Sequence, residues 1–160
     1  MMRVQLTTSE HTICKYVGEY RHTVTSQQGT ERKQDARLDA LQMSIDGVIS
    51  EYAVAKAMNL HFDLNCNFRK FGADLINHYG KTIDVKSTRT ANGRLNAVQW
   101  STGKQADIFV LTEVRPFYVL LVGWIGRERF LVPENLRDYG NGPFYSVDQT
   151  QLRPFDVKPE

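Results

Sequence analysis

Asp74 and Asp84 stand at equal distances either side of Tyr79, and Gly80 follows directly after it. That spacing restricts the middle of the chain more tightly than any other feature. An antiparallel hairpin folded about Tyr79 sets Asp74 opposite Asp84 and leaves His78-Tyr79-Gly80 as the loop. Three-residue hairpin loops commonly finish on a left-handed residue, which glycine adopts without a Cβ clash. Along the second strand, Ile83-Asp84-Val85-Lys86-Ser87, alternate side chains share a face, so Asp84 and Lys86 point the same way about 7 Å apart.

Two ionised aspartates opposed across strands, with Cβ atoms roughly 5 Å apart, repel unless a cation lies between them. Magnesium takes oxygen ligands in octahedral geometry, is commonly held by one or two carboxylates, and keeps waters that phosphate oxygens can replace. Such a centre suits phosphodiester hydrolysis, because the ion polarises the phosphoryl group and lowers the pKa of an attacking water. Lys86 then orients that water or stabilises charge developing at phosphorus. An Asp-x-Lys alone arises by chance in many chains. The competing reading is a surface hairpin with Asp74 paired to Lys86 or Lys81, worth little stability.

Upstream, from Leu38, the apolar residues Leu41, Ile45, Val48, Tyr52 and Ala55 recur at three- and four-residue steps. The periodicity predicts an amphipathic helix from near Asp35 to Asn59, interrupted only by Gly47. Glu51 borders the apolar stripe, and its neighbours at four-residue spacing, Gly47 and Ala55, are small enough to leave room over its carboxylate for an ion or a phosphate. The alternative is a helix-flank charge near Lys56.

At Gly47-Val48-Ile49-Ser50-Glu51, Gly72-Ala73-Asp74-Leu75 and Ile83-Asp84-Val85-Lys86-Ser87-Thr88 the chain resembles the PD-(D/E)XK nuclease superfamily. Ala73 stands where the family's name has proline, a residue that supplies no ligand. The resemblance implies an α/β fold with a restriction-endonuclease-like core, a mixed central β-sheet flanked by helices. It implies a deoxyribonuclease dependent on Mg²⁺ or Mn²⁺, with Asp74 and Asp84 as metal ligands, Glu51 and the Val85 carbonyl as further contacts, and Lys86 as the catalytic lysine. It continues more loosely through Ala106 to Leu111 and Phe117 to Ile125 as core strands, covering about residues 38 to 125. Size and layout, closing on Leu152-Arg153-Pro154, look similar to compact nuclease-like proteins of bacteriophages and prophages. Endonuclease, Holliday-junction resolvase and exonuclease all remain open. So do an inactive nuclease-derived factor that binds nucleic acid or a protein partner, and a structural virion protein.

Between Asp84 and Asp107 no acidic residue occurs, whereas Lys86, Arg89, Arg94 and Lys104 do, among polar residues that include Ser87, Thr88 and Gln99. These side chains are candidates for contacts to DNA, the cations neutralising phosphates and the hydroxyls and amides fixing register without reading bases. A solvated loop is the alternative. Trp100 and Trp124 are able to stack on bases, but aromatics in apolar runs are far more often core, where Trp124 is assigned.

The four histidines, His11, His22, His61 and His78, show no zinc spacing, and Cys14 and Cys66 form no Cys-x-x-Cys unit, so neither a zinc site nor a thiol nucleophile is expected. No Walker loop or dinucleotide-binding glycine fingerprint appears. At 160 residues, 41% of them hydrophobic, the chain suits one domain. Its expected parts are an N-terminal helix and polar linker over 1–34, a core over about 35–132, and a C-terminal helix and tail over 133–160. A net charge of +2 neither demands nor excludes nucleic acid. The longest apolar run, Phe117 to Ile125, falls short of the ~20 residues of a membrane span, and no signal-type segment opens the chain. A cytoplasmic protein with reduced cysteines is expected, in the host cytoplasm if phage-borne. A homodimer is an option, because cutting both strands often takes two active sites.

Locally, Ser9 is expected to cap a short helix through about Tyr20, with a polar, mobile connection from Thr23 to Lys33. Strands are expected near 107–114 and 117–125 around Pro116, with a further short strand from Arg129 to Val132. Pro133 and Gly140 bracket an expected helix from Pro133 to Tyr139, and the tail from Tyr145 to Pro154 is expected to fold back.

Overall fold

Helix α2, Ala40–Met58, touches the preceding helix α1, Thr8–Gln27, and four of the strands, and its ends follow from local chemistry. Asp39 caps it by accepting the Gln42 N–H at 2.6 Å. At the other end Asn59 turns left-handed, φ 54°, and its N–H donates to the carbonyls of Ala55 and Lys56. The computed structural model describes residues 1–27, 39–67, 72–99 and 106–155. The expected lead-in from Asp35 to Leu38 therefore lies outside the described residues. The helix passes unbroken through Gly47. It buries Ile45, Val48, Ile49, Ala53, Val54, Ala55 and Met58, a wider band than a single stripe, while Leu41 is exposed. The widening has a simple cause: α1 covers one side of α2 and the sheet another.

Helix α1, Thr8–Gln27, starts from Thr7 rather than Ser9. The Glu10 N–H donates to Thr7 Oγ1 at 3.2 Å and the Thr7 N–H returns to Glu10 Oε2 at 2.7 Å, a reciprocal cap. The helix also runs past Tyr20, so the connection expected from Thr23 begins as helix, held by packing on α2. The two helices approach closely at Gly18, where an added Cβ would lie 2.7 Å from Ile45 Cα.

A five-stranded sheet carries these helices on one face. Its order is β1 (Met2–Gln5), β6 (Tyr118–Gly126), β5 (Ile108–Val114), β3 (Thr82–Thr88), β2 (Leu75–Ile76). Only β3 and β5 run parallel. A second, antiparallel sheet of order β4 (Leu95–Val98), β8 (Phe144–Val147), β7 (Leu136–Arg137) lies against the other face. Ile83, Val85, Ile108 and Val110 pack with the helices, whereas Phe109, Leu111, Val122 and Ile125 pack with Leu95, Ala97, Phe130 and Val147. The architecture is mixed α/β, as expected for the class. Every residue of β5 is buried, the signature of a strand covered on both faces. A bulge shifts the β5–β6 register between Leu111 and Thr112, and the buried Thr112 hydroxyl donates to Ser50 Oγ at 2.8 Å.

Two local expectations are corrected. Arg129 to Val132 is not a strand; a helical turn, α3 (Arg127–Phe130), drives Phe130 fully into the second core. The helix expected from Pro133 to Tyr139 is a single turn over Pro133–Asn135 followed by β7. The Asn135 amide donates to the carbonyls of Arg129 and Phe130, both at 2.9 Å, and Leu136 and Arg137 pair with β8, which ends the turn. The polar run after Lys86 contains β4, because Leu95 and Ala97 alternate with polar residues and β8 is there to pair with them. The tail does return: the Trp124 and Arg153 backbones exchange hydrogen bonds of 2.9 and 2.8 Å, and Trp124 is buried. Among the described residues no helix is long and apolar enough to cross a membrane.

Candidate active site

The β2–β3 hairpin has the register read from the spacing about Tyr79. Leu75 pairs with Ile83 and Ile76 with Thr82, and the ladder stops before Asp74, whose N–H reaches the Ile83 carbonyl as well. Gly80 occupies the left-handed region at φ 76° and its N–H donates to the Asn77 carbonyl at 3.0 Å. The buried Asn77 side chain accepts the N–H groups of Tyr79 and Lys81 at 3.0 and 2.9 Å and so shapes the loop. Spacing alone did not single out Asn77; an asparagine opening a glycine-closed turn is the signal that could have.

Strand β2 stops after two residues, so the Val85 N–H, on the side facing β2, has no strand rung to join. Asp74 Oδ2 accepts it instead at 2.7 Å, while the Asp74 N–H donates to the Ile83 carbonyl at 3.1 Å. Enclosure of this carboxyl pushes its proton affinity well above the ordinary aspartate range, and the charges of Glu51 and then Asp84 add to the effect. The Val85 N–H and Lys86 pull the other way. Lys86 Nζ donates to Asp84 Oδ1 at 2.8 Å, taking Asp84 rather than Asp74 as its partner. Ile83 and Val85 face the helices, so Asp84 and Lys86, alternating with them, emerge on the opposite face, partly exposed. Asp74, at the sheet edge, stands within electrostatic reach of all three other residues.

Glu51 comes to this edge from α2. Arg21 of α1 donates through Nη1 to Glu51 Oε2 at 2.8 Å, and through Nη2 to the Asp63 carbonyl at 2.6 Å. Lys56, the neighbour suggested by sequence, pairs with Glu10 at 2.7 Å. Above Gly47 nothing lies within 4 Å of an added Cβ, so room exists on that side of the helix. Arg21 was invisible to the sequence reading, because the two residues meet only when the helices pack.

No protein-family model and no curated protein matches the chain. The chemistry of the edge therefore rests on its geometry. Among the described residues, no three His, Cys, Asp or Glu side chains stand close enough together to hold a metal ion. Asp74 and Asp84 nonetheless each offer the carboxylate oxygens that magnesium takes. The enclosed Asp74 carboxyl, crowded by like charges, has surroundings that a cation relieves, so the donor set fits a hard divalent ion in kind.

The basic run finds acidic partners elsewhere in the fold. Arg89 grips the buried Asp46 through Nε and Nη2 at 2.6 and 2.9 Å. Arg94 donates to Ser146 Oγ at 2.8 Å and lies 3.9 Å from Asp148. Ser87 and Gln99 are exposed, with the Gln99 N–H on the Pro143 carbonyl, and Thr88 is half-buried and accepts the Thr90 N–H at 3.1 Å. Lys104 and Trp100 lie outside the described residues.

Proposed function

We propose that this chain is a nuclease of restriction-endonuclease-like architecture that hydrolyses DNA phosphodiester bonds with Mg²⁺ or Mn²⁺. One observation carries the reading: the β2–β3 hairpin sets the Asp74 carboxylate on the N–H of Val85, the residue next to Asp84, while Lys86 hangs on Asp84. Asp74 and Asp84 would hold the ion with the Val85 carbonyl as a further contact, and Glu51, which forms no three-carboxylate cluster with them, would assist from α2 through water. When bound, such an ion polarises a phosphoryl group and acidifies water. The Val85 N–H fixes the rotamer of Asp74, so that carboxylate is oriented before any ligand arrives. Lys86, partly exposed, presents ammonium protons to a phosphate oxygen and stabilises charge developing there. Ser87, Thr88, Arg94 and Gln99 follow along the chain as backbone contacts; Arg89 contributes what Asp46 leaves unsatisfied. Cys14 and Cys66 are free thiols, which suits a reducing cytoplasm.

A second reading, a nuclease-derived factor that binds nucleic acid or protein without cutting, is favoured by one fact. Glu51 and Asp84 each already pair with a cation of the chain itself. Linear, circular, single-stranded and four-way-junction DNA incubated with Mg²⁺, Mn²⁺ or chelator separates the two. Ion-dependent product that disappears in Asp84→Asn supports the enzyme. DNA retention without product at any ion concentration supports the binder, and product shape sorts endonuclease, exonuclease and resolvase.

A further inference from the structure

The tip of the β2–β3 hairpin holds an aromatic ring out of the fold. Tyr79 is 73% exposed, and His78, Gly80 and Lys81 around it are exposed as well. The backbone beneath the ring is nonetheless fixed, because the buried Asn77 side chain accepts the N–H groups of Tyr79 and Lys81 at 3.0 and 2.9 Å and Gly80 turns the corner at φ 76°. A tyrosine held this way loses little freedom when something stacks on it, since only two side-chain torsions are left to settle. β2 is the outermost strand of its sheet, so no strand of that sheet lies beyond the loop. From Leu75 to Ile83 the hairpin carries His78 and Lys81 and no acidic residue. Asp107, which abuts the start of β3, is already engaged: one oxygen accepts the Thr82 N–H and hydroxyl, both at 3.0 Å, and the other lies 3.5 Å from Arg127 of α3. An exposed ring flanked by basic side chains suits a nucleic-acid strand, base against ring and phosphate against Lys81.

Resting on the nuclease reading above, we propose that Tyr79 stacks on a base of the substrate and so selects DNA with an unpaired base beside the cut, in a single strand, a flap or a branch, over continuous duplex. Inside a duplex each base is covered on both faces by its neighbours, and opening that stack is costly. An unpaired base has a free face. Stacking on it tolerates any sequence, because every base offers a π-face. The reach from the ring to the candidate site is short. Five residues separate Tyr79 from Asp84, about 17 Å of extended chain at most, or some five base steps of duplex rise. Lys81 lies between the two along the chain and supplies a phosphate contact that single and double strands share. A tyrosine that served only to finish the turn would act through the loop backbone, which Asn77 and Gly80 already hold.

Fluorescence anisotropy of the full chain tests this on two labelled DNAs, a duplex with a single-stranded flap and a blunt duplex of equal length. Binding is measured with chelator, and again with Mg²⁺ in the Asp84→Asn background, so that nothing is cut. The parent should prefer the flap. Tyr79→Ala should bind the flap roughly 5- to 100-fold more weakly and the blunt duplex within about twofold of the parent. Tyr79→Phe, which keeps the ring and loses the hydroxyl, should match the parent on both. Lys81→Ala should weaken both to a similar degree and lower the salt dependence of each. Flap binding by Tyr79→Ala within about twofold of the parent, equal losses on flap and blunt duplex, or a Tyr79→Phe variant as weak as Tyr79→Ala overturns the proposal and leaves the nuclease reading standing. A protein that binds neither DNA under either condition and cuts none overturns both.

Discussion

The centre of the large sheet and its β2 edge are built on opposite terms. In β5 every side chain is buried between two apolar clusters, and β6 beside it pairs along nearly its whole length. At the edge, β2 contributes two residues, and the next rung on β3 is closed by the Asp74 carboxylate in place of a strand. Stability is concentrated where both faces are covered, and chemistry is available where a backbone group must be satisfied by a charged side chain. The edge tolerates such a charge because its other side opens towards solvent, where Asp84 and Lys86 emerge.

The contrast predicts that activity and stability separate between the two regions. Asp84→Asn and Lys86→Ala should each lower cleavage by about 10²–10³-fold or more. Unfolding free energy should change by under ~1 kcal/mol, since a partly exposed pair contributes little. Cleavage rates set beside urea melts read both quantities; full activity in both variants removes the mechanism, and a large stability loss breaks the contrast. In the centre, Leu121→Ala should cost about 2–5 kcal/mol in urea unfolding, because Leu121 is fully buried on β6. Gly18→Ala should cost about 1–3 kcal/mol, the added methyl meeting the Ile45 backbone at 2.7 Å. A wild-type melting curve for that variant would mean the helices slide apart freely.

The smallest effect concerns pH. The Lys56 ammonium, followed by the Thr7 N–H, holds the Glu10 carboxyl down at about 2 from an ordinary 4.5. A carboxylate with a depressed folded-state pKa stabilises the fold fully above its unfolded value and loses that contribution as pH falls through the folded one. This contribution is therefore present above about pH 4.5 and fades between there and about pH 2. With Lys56 more than a third exposed it amounts to about 1 kcal/mol. Glu10→Gln should flatten the acid limb of the stability curve within that window; a variant as acid-sensitive as the parent there would show that the α1 cap and the Lys56 pair contribute nothing.

The hairpin was legible because its determinants are local: Gly80 supplies the left-handed corner and the spacing about Tyr79 fixes the register. The long buried strands and the body of α2 followed from apolar runs and periodicity for the same reason. The helix is capped at Thr7 instead of Ser9 because the reciprocal partner, Glu10, follows Thr7 at the capping interval. β1 was missed because four residues carry little pattern and its partner, β6, begins at Tyr118. β4 was hidden in a polar run, its strand character resting on Leu95 and Ala97 meeting β8 about fifty residues later. The acid-free stretch after Asp84 suggested unopposed positive charge; Asp46 and Asp148, remote in sequence, sit beside Arg89 and Arg94.

The amino-acid order alone determined where the chain bends, which of its runs are apolar, and the register in which Leu75 meets Ile83. These depend on sterics and hydrogen bonds spanning a handful of residues. Only the tertiary structure decided that Arg21 grips Glu51, that Asp46 answers Arg89, and that Asp74 is enclosed within reach of two other carboxylates. Charge interactions depend on separation through space and on how much water has been excluded, and packed helices and sheets set both.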